Sequence, residues 1–298
     1  MTKRMGFIGV GLMGHGMAKN LLLKGYPVTI RGHRNRAPVD DLVAQGAQEA
    51  ASSAEVARQS DVVFLCVTGS PQVEEVIFGS NGLAEGARDG LLIVDTSTAE
   101  PASTNLIRER LAKVGVTFVD APLARTPKEA EEGRLNTMVG ADQQVFDALK
   151  PVLQAFCENV VHVGPPGAGH VVKLANNFIA MTIACATAEA GAAVKRMGVD
   201  PQKLVDVVSL GAVNNGIFQA VLAQTLQGNF AALKFALDNA RKDIRYYTHM
   251  TESVPMTSIM GEATHQSLVN ACMLGFGDEF VPSLIKAQEK LNGTSIVS

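Results

Sequence analysis

The chain has 298 residues, enough for two domains of ordinary size and for sizeable cores. Its net charge of −3 gives no general attraction to nucleic acid or to an anionic membrane, and 5% aromatic residues with no Trp leave little for a base-stacking platform. Four scattered cysteines form no Cys-x-x-Cys and six histidines show no metal-ligand spacing, so neither a disulfide framework nor a metal centre is expected.

The first predicted element, Met5–Ile8, is a short apolar strand. It follows Met1-Thr2-Lys3-Arg4 with no signal peptide, which makes the cytoplasm the default location. It feeds Gly9-Val10-Gly11-Leu12-Met13-Gly14, then a helix with apolar periodicity at Met17, Ala18, Leu21 and Leu22. Between a strand and a helix, Gly-x-Gly-x-x-Gly is a dinucleotide fingerprint. The first glycine turns tightly, the second lets backbone approach a pyrophosphate, and the third lets helix and strand pack closely. The pyrophosphate then lies on the free N–H groups of the helix N-terminus.

The second strand, Pro27–Ile30, runs into Arg31-Gly32-His33-Arg34-Asn35-Arg36, and no Asp or Glu occurs from His15 to Val39. An NAD site usually places a carboxylate here for the ribose 2′-OH, whereas arginines accommodate the 2′-phosphate of NADP. Arg31, His33 and Arg34 are therefore expected to favour NADP, with NAD as the alternative. The plainer reading of the same residues is a solvated basic turn.

Strand signals continue at Asp61–Val67, Leu91–Asp95, Thr117–Asp120, Leu135–Val139 and Val160–Val163, with helical segments at Ser53–Gln59, Gln72–Phe78 and Ser103–Val114. That alternation predicts an α/β Rossmann-type domain over 1–164, largely parallel, with its ligand at the carboxyl ends of the strands. Cys66, in an apolar run, reads as core. After Gly164-Pro165-Pro166-Gly167-Ala168-Gly169 the strand signals cease. His170–Met197 reads as one long helix stopped by Gly198, with Asp200-Pro201 opening the next. Residues 165–298 are expected to form an all-α domain joined through that helix, with the active site between the two domains. The apolar stretch Ile179 to Val194 carries Glu189 and reads as too short for a membrane span. So smooth a helix needs cover from other helices or a second subunit, and a homodimer or homotetramer is expected.

At the start of the long helix, Lys173, Asn176 and Asn177 project from one side. A lysine there can pass a proton to or from a carbonyl or alcohol oxygen if its surroundings lower its pKa, and an adjacent amide can hold the same oxygen. Spacing alone suits a snorkelling surface lysine at least as well.

The chain resembles the β-hydroxyacid dehydrogenases, the group of 3-hydroxyisobutyrate dehydrogenase and tartronate semialdehyde reductase, over essentially its whole length. The resemblance rests on Gly6 to Gly14 with Met17-Ala18-Lys19-Asn20-Leu21, on Asp95-Thr96-Ser97-Thr98, on Asp120-Ala121-Pro122, on Gly167-Ala168-Gly169 with Lys173-Leu174-Ala175-Asn176-Asn177, and on Lys242-Asp243. It implies a hydride-transferring enzyme that uses NADP or NAD on a small anionic aldehyde or hydroxy acid. Lys173 would be the general acid and base, and Asn177, with Asn176, would position substrate. Val67, Thr68, Thr98 and Lys242 would face the cofactor. Members of the group commonly follow Asp-Ala-Pro-Val with Ser-Gly-Gly, whereas here the run is Leu123-Ala124-Arg125-Thr126. These four are expected to line the substrate, with Arg125 as a bidentate clamp on an anionic headgroup. That departure keeps a sulfolactaldehyde reductase as an alternative. The opposing reading turns Arg125 outward onto Glu129 or Glu131. A non-catalytic NADP-binding module is a further alternative, against which Lys173 and Asn177 count.

Overall fold

A computed structural model describes residues 2–297. The chain divides into two compact units, Met1–Lys173 and Leu174–Ser298. Strands give way to helices at Gly164, but the units part only at Lys173, because the opening turn of the long helix is hydrogen-bonded to a strand end of the first unit.

The first unit holds nine strands: β1 Met5–Ile8, β2 Val28–Arg31, β3 Gln48–Glu49, β4 Val62–Leu65, β5 Leu92–Asp95, β6 Thr117–Asp120, β7 Leu123–Ala124, β8 Leu135–Gly140 and β9 Cys157–Gly164. Their order is β3-β2-β1-β4-β5-β6-β8-β7, with β9 also on β8. Pairing is parallel from β3 to β6 and between β8 and β9, and antiparallel where β8 meets β6 and β7. The helices are α1 Gly14–Leu23, α2 Ala37–Ala44, α3 Ser53–Gln59, α4 Ser70–Phe78, α5 Leu83–Gly86, α6 Pro101–Ala112, α7 Pro127–Glu131 and α8 Gln143–Leu153.

Alternation along the strands builds two separate cores. Met5, Phe7, Phe64 and Val94 join Met17, Leu21 and Phe156 in one. Ile8, Val63, Leu65 and Ile93 join Val56, Ile77 and Ile107 in the other. The sheet is thus covered on both faces, which is why its strands read as continuous apolar runs. Strand order reverses at β1, flanked by β2 and β4, and that reversal opens the crevice where such sheets bind ligands. Cys66 lies just beyond β4, half-buried and packed against the first of these cores.

The helix α9, Ala168–Arg196, begins in the first unit and continues into the second, which adds α10 Pro201–Ser209, α11 Gly216–Leu226, α12 Leu237–Ser253, α13 Ile259–Ala271 and α14 Leu284–Asn292. Met181, Ala184, Ala188 and Ala192 make a stripe on α9 that packs with Val221, Leu222, Leu237, Ile244, Leu268 and Ile285. Contrary to the expectation from sequence, α9 is long and apolar enough to cross a membrane, with a mean hydropathy of 1.4 over its best window. In this fold 39% of the window is buried inside the protein.

Candidate active site

The glycine-rich turn shows three different constraints. Gly9 has φ +97°, and a Cβ on it would lie 2.1 Å from the Cys66 carbonyl oxygen, so the turn between β1 and α1 excludes side chains. A Cβ on Gly14 would lie 2.0 Å from the Gly9 carbonyl oxygen, where α1 closes on the turn. A Cβ on Gly11 would meet nothing within 4 Å. The first and third glycines are explained by the protein itself. The second has open space in front of it, as a pyrophosphate cradle requires. Of the intervening residues Val10 is buried, Leu12 is exposed and Met13 is half-buried. No acidic side chain occupies the first turn of α1, so its N–H groups face no competing local carboxylate.

At the end of β2 the basic residues divide. Arg31 donates from Nη1 to Ser53 Oγ at 2.6 Å. Arg36 is held by Glu49 at 2.6 and 2.8 Å and by Asp40 at 3.0 Å. Glu49 arrives from β3, whose register sets it beside Ile30, so a carboxylate does reach this turn although the local sequence contains none. Arg36, by its hydrogen bonds foremost, holds that carboxylate below the usual range. His33 and Arg34 are exposed.

The remaining predicted cofactor turns are tied together. The Val67 N–H donates to Ser97 Oγ at 2.9 Å, and the Ser97 N–H donates to Asp95 Oδ1 at 2.9 Å. Thr96 donates through its hydroxyl to the Leu65 carbonyl at 2.6 Å. Thr68 is exposed and Thr98 half-buried at the rims of these turns. Asp120, at the end of β6, receives the opening of α9: Gly167 N–H at 2.6 Å on Oδ1 and His170 N–H at 2.9 Å on Oδ2. His170 is fully buried, with Nδ1 2.7 Å from Thr104 Oγ1 and Nε2 donating to the Ser97 carbonyl at 3.2 Å. Burial pushes the Asp95 carboxyl above its usual range, against the opposing influence of His170. Sequence reasoning quoted Asp95 and Asp120 only as motif letters and gave His170 no role. Apart from the Ser97 N–H, two residues from Asp95, their partners lie too far along the chain for spacing to reveal.

Lys173 follows on α9, half-buried, with Asn177 a turn further along and buried at 7% exposure. In the second unit, Asn177 donates to Asp243 Oδ2 at 2.7 Å, and Asn176, exposed, donates to Asn177 Oδ1 at 3.2 Å. The Lys242 ammonium lies 2.9 Å from Asp243 Oδ1 and 5.0 Å from the Tyr246 ring centroid. Asp243, at 2% exposure, is thus the anchor of this cluster, a role sequence reading did not assign.

The loop expected to line the substrate differs from expectation. Leu123 and Ala124 form β7, paired with Thr137 and Asn136. Arg125 has φ +83°, and its guanidinium is engaged by Glu158 of β9 and the Arg134 carbonyl. Thr126 donates its N–H to Glu129 at 3.0 Å, and its hydroxyl binds the same carboxylate. In this arrangement Arg125 pairs with an acid, as the opposing reading has it, and the partner is Glu158 rather than Glu129 or Glu131. A carboxylate thirty-three residues away, across β8, captures it first.

A switch-point crevice, a glycine cradle open only at Gly11 and a helix moored to the strand ends define a Rossmann-type dinucleotide-binding protein. Residues 4–164 match the family model described as the NAD binding domain of 6-phosphogluconate dehydrogenase. Residues 167–287 match that described as NAD-binding of NADP-dependent 3-hydroxyisobutyrate dehydrogenase. The chain belongs to the β-hydroxyacid dehydrogenase family. It is 32% identical to 2-(hydroxymethyl)glutarate dehydrogenase of Eubacterium barkeri, over 98% of this chain and 97% of the relative. It is 31% identical to 2-hydroxy-3-oxopropionate reductase of Escherichia coli, over 96% and 97%. A solved structure of 3-hydroxyisobutyrate dehydrogenase from Salmonella typhimurium matches with a TM-score of 0.83 at 28% identity, covering 95% of this chain and 99% of that one. The chain is therefore an NAD(P)-dependent oxidoreductase of hydroxy acids, acting on CH–OH.

Proposed function

We propose that the protein interconverts a short β-hydroxy acid and its semialdehyde, of the 3-hydroxyisobutyrate or tartronate semialdehyde type, with Lys173 as general acid and base. The observation that carries this reading is the mooring of α9 on Asp120, which fixes the turn that Lys173 follows, with Asn177 held by Asp243 one turn further along the same face. The bound nicotinamide contributes the hydride chemistry. In reduction the Lys173 ammonium gives its proton to the oxygen that becomes the alcohol, and in oxidation the neutral amine takes it back. Asn177, its Nδ2 on Asp243, presents its carboxamide to the substrate, and Asn176 backs it. Val10, Leu12, Met13, Val67, Thr68 and Thr98 would line the cofactor around the cradle of Gly9, Gly11 and Gly14, and Lys242 would add positive charge. NADP is the preferred partner on the strength of Arg34 and His33, two exposed basic side chains at the end of β2. The sulfonate alternative rested on Arg125, which Glu158 engages, so a carboxylate substrate is the better reading.

The test is Lys173→Ala in steady-state kinetics with 3-hydroxyisobutyrate and tartronate semialdehyde. Turnover should fall by a factor of about 100 or more, the usual scale of general acid–base catalysis, with NADPH affinity nearly intact. Retained turnover removes Lys173 from the mechanism.

A further inference from the structure

We propose that His170 is a positioning residue: pinned between Thr104, Ser97 and Asp95, it fixes the rotation of the first turn of α9 and thereby the reach of Lys173. The inference rests on the assignment of Lys173 above. Asp120 holds the start of α9 through its backbone N–H groups. The His170 ring adds a side-chain anchor against rotation of that turn about the helix axis. It is 0% exposed and held at both nitrogens, by the Thr104 hydroxyl from α6 and by the Ser97 carbonyl from the turn after β5. The carbonyl can only accept, so Nε2 carries a proton, and that same nitrogen lies 3.8 Å from Asp95 Oδ2.

Asp95 Oδ2 is buried and has no hydrogen-bond donor among the described residues. An unmet buried carboxylate oxygen is costly, and burial of this pair is poorly explained by stability, since an apolar pair of the same shape serves as well or better. Positioning accounts for it. Asp95 Oδ1 orders the Ser97 N–H, and Ser97 in turn holds Val67 through its hydroxyl and His170 through its carbonyl. One connected set of bonds thus runs from the turn assigned to the cofactor to the helix turn three residues before Lys173. A misplacement of about 1 Å at a reacting group can lower a rate about 100-fold, so a device that controls helix rotation is worth its unpaired oxygen.

The experiment compares His170→Leu, His170→Gln, Thr104→Val and Lys173→Ala in the full-length protein, measuring kcat, KM, NADPH affinity by fluorescence titration and the deuterium isotope effect with 4-deuterated NADPH. His170→Leu should lower kcat about 30-fold or more and raise the isotope effect, while KM and NADPH affinity stay within about twofold. Glutamine offers an acceptor for Thr104 and a donor for Ser97, so His170→Gln should recover most of the loss. Thr104→Val, which leaves the ring in place, should lower kcat about fivefold and serves if the leucine variant does not fold. Equal damage from Gln and Leu, an unchanged kcat in Thr104→Val, or a loss that falls on NADPH affinity alone overturns the proposal. An active Lys173→Ala sinks the lysine assignment itself. An inactive Lys173→Ala beside a fully active His170→Leu sinks only the positioning role.

Discussion

The Asp120 carboxylate accepts the backbone N–H of His170 at 2.9 Å from the far end of a strand fifty residues earlier. With Gly167 on its other oxygen, one buried side chain satisfies two of the N–H groups that a helix leaves open at its start. A Cβ on Gly140 or Gly169 would fall within 2.7 Å of that carboxylate, so the pocket fits only this arrangement. Asp120→Ala should therefore destabilise the protein by about 2–4 kcal/mol, through unpaired buried donors and a lost cap. Urea denaturation measures it; a change below about 0.5 kcal/mol would show that the mooring contributes little.

Arg34→Ala should raise KM for NADP about tenfold and leave KM for NAD within about twofold, the scale of one charge-assisted phosphate contact. Parallel kinetics with the two cofactors decide it. Equal effects on both would mean that Arg34 contacts neither 2′-group.

Arg125→Gly should be stabilising or neutral. A positive φ strains a residue with a Cβ by about 1–2 kcal/mol, and glycine relieves that strain. The ion pair lost with Glu158 is partly solvent-exposed and contributes about 1 kcal/mol or less. Because the guanidinium is engaged by Glu158, the ratio of kcat/KM values for carboxylate, sulfonate and phosphate headgroups should stay within about twofold of the parent's. A selective loss on one headgroup would show that Arg125 leaves Glu158 to meet substrate.

His15 joins α1 to its neighbours through Asp41 at 2.8 Å and Glu131 at 2.6 Å. Burial works against the imidazolium, but hydrogen bonds to the two carboxylates outweigh it and raise the His15 pKa. A raised histidine contributes its stability fully below the unfolded value of about 6.5 and loses it as pH rises through the folded value. Glu131 is likewise desolvated, yet His15 and Lys19 lower its pKa overall. Its contribution is present above the unfolded value and fades as pH falls through the folded one. The wild type should thus exceed His15→Gln in stability at pH 6 by about 1 kcal/mol or less, and by a smaller margin at pH 8.5. Thermal melts at the two pH values check the sign, and a margin that grows with pH contradicts it.

Legibility in the sequence followed locality. Gly9, Gly11 and Gly14 could be read because strand, turn and helix are contiguous, whereas Lys173 and Asn177 stand out only through the family motif, since spacing alone suits a snorkelling lysine as well. Glu49 could not be read, since it meets Arg36 only through the pairing of β3 with β2, and β3 is two residues long. Leu123–Ala124 is equally short and carries no period to detect. The set Asp95, Thr104, Asp120 and His170 is assembled across β5, α6, β6 and α9, where no spacing rule operates. The pairing of Arg125 with Glu158 is equally out of reach of local spacing, because that carboxylate sits on another strand, two places away in the sheet.

Of the three turn glycines, the middle one has none of the described atoms where a side chain would stand. Drift at positions 9 and 14 is policed by folding, whereas position 11 is policed only by what binds there. A descendant of this chain that gave up its dinucleotide would keep the outer pair and let the central one go, leaving an intact scaffold with a silent mouth.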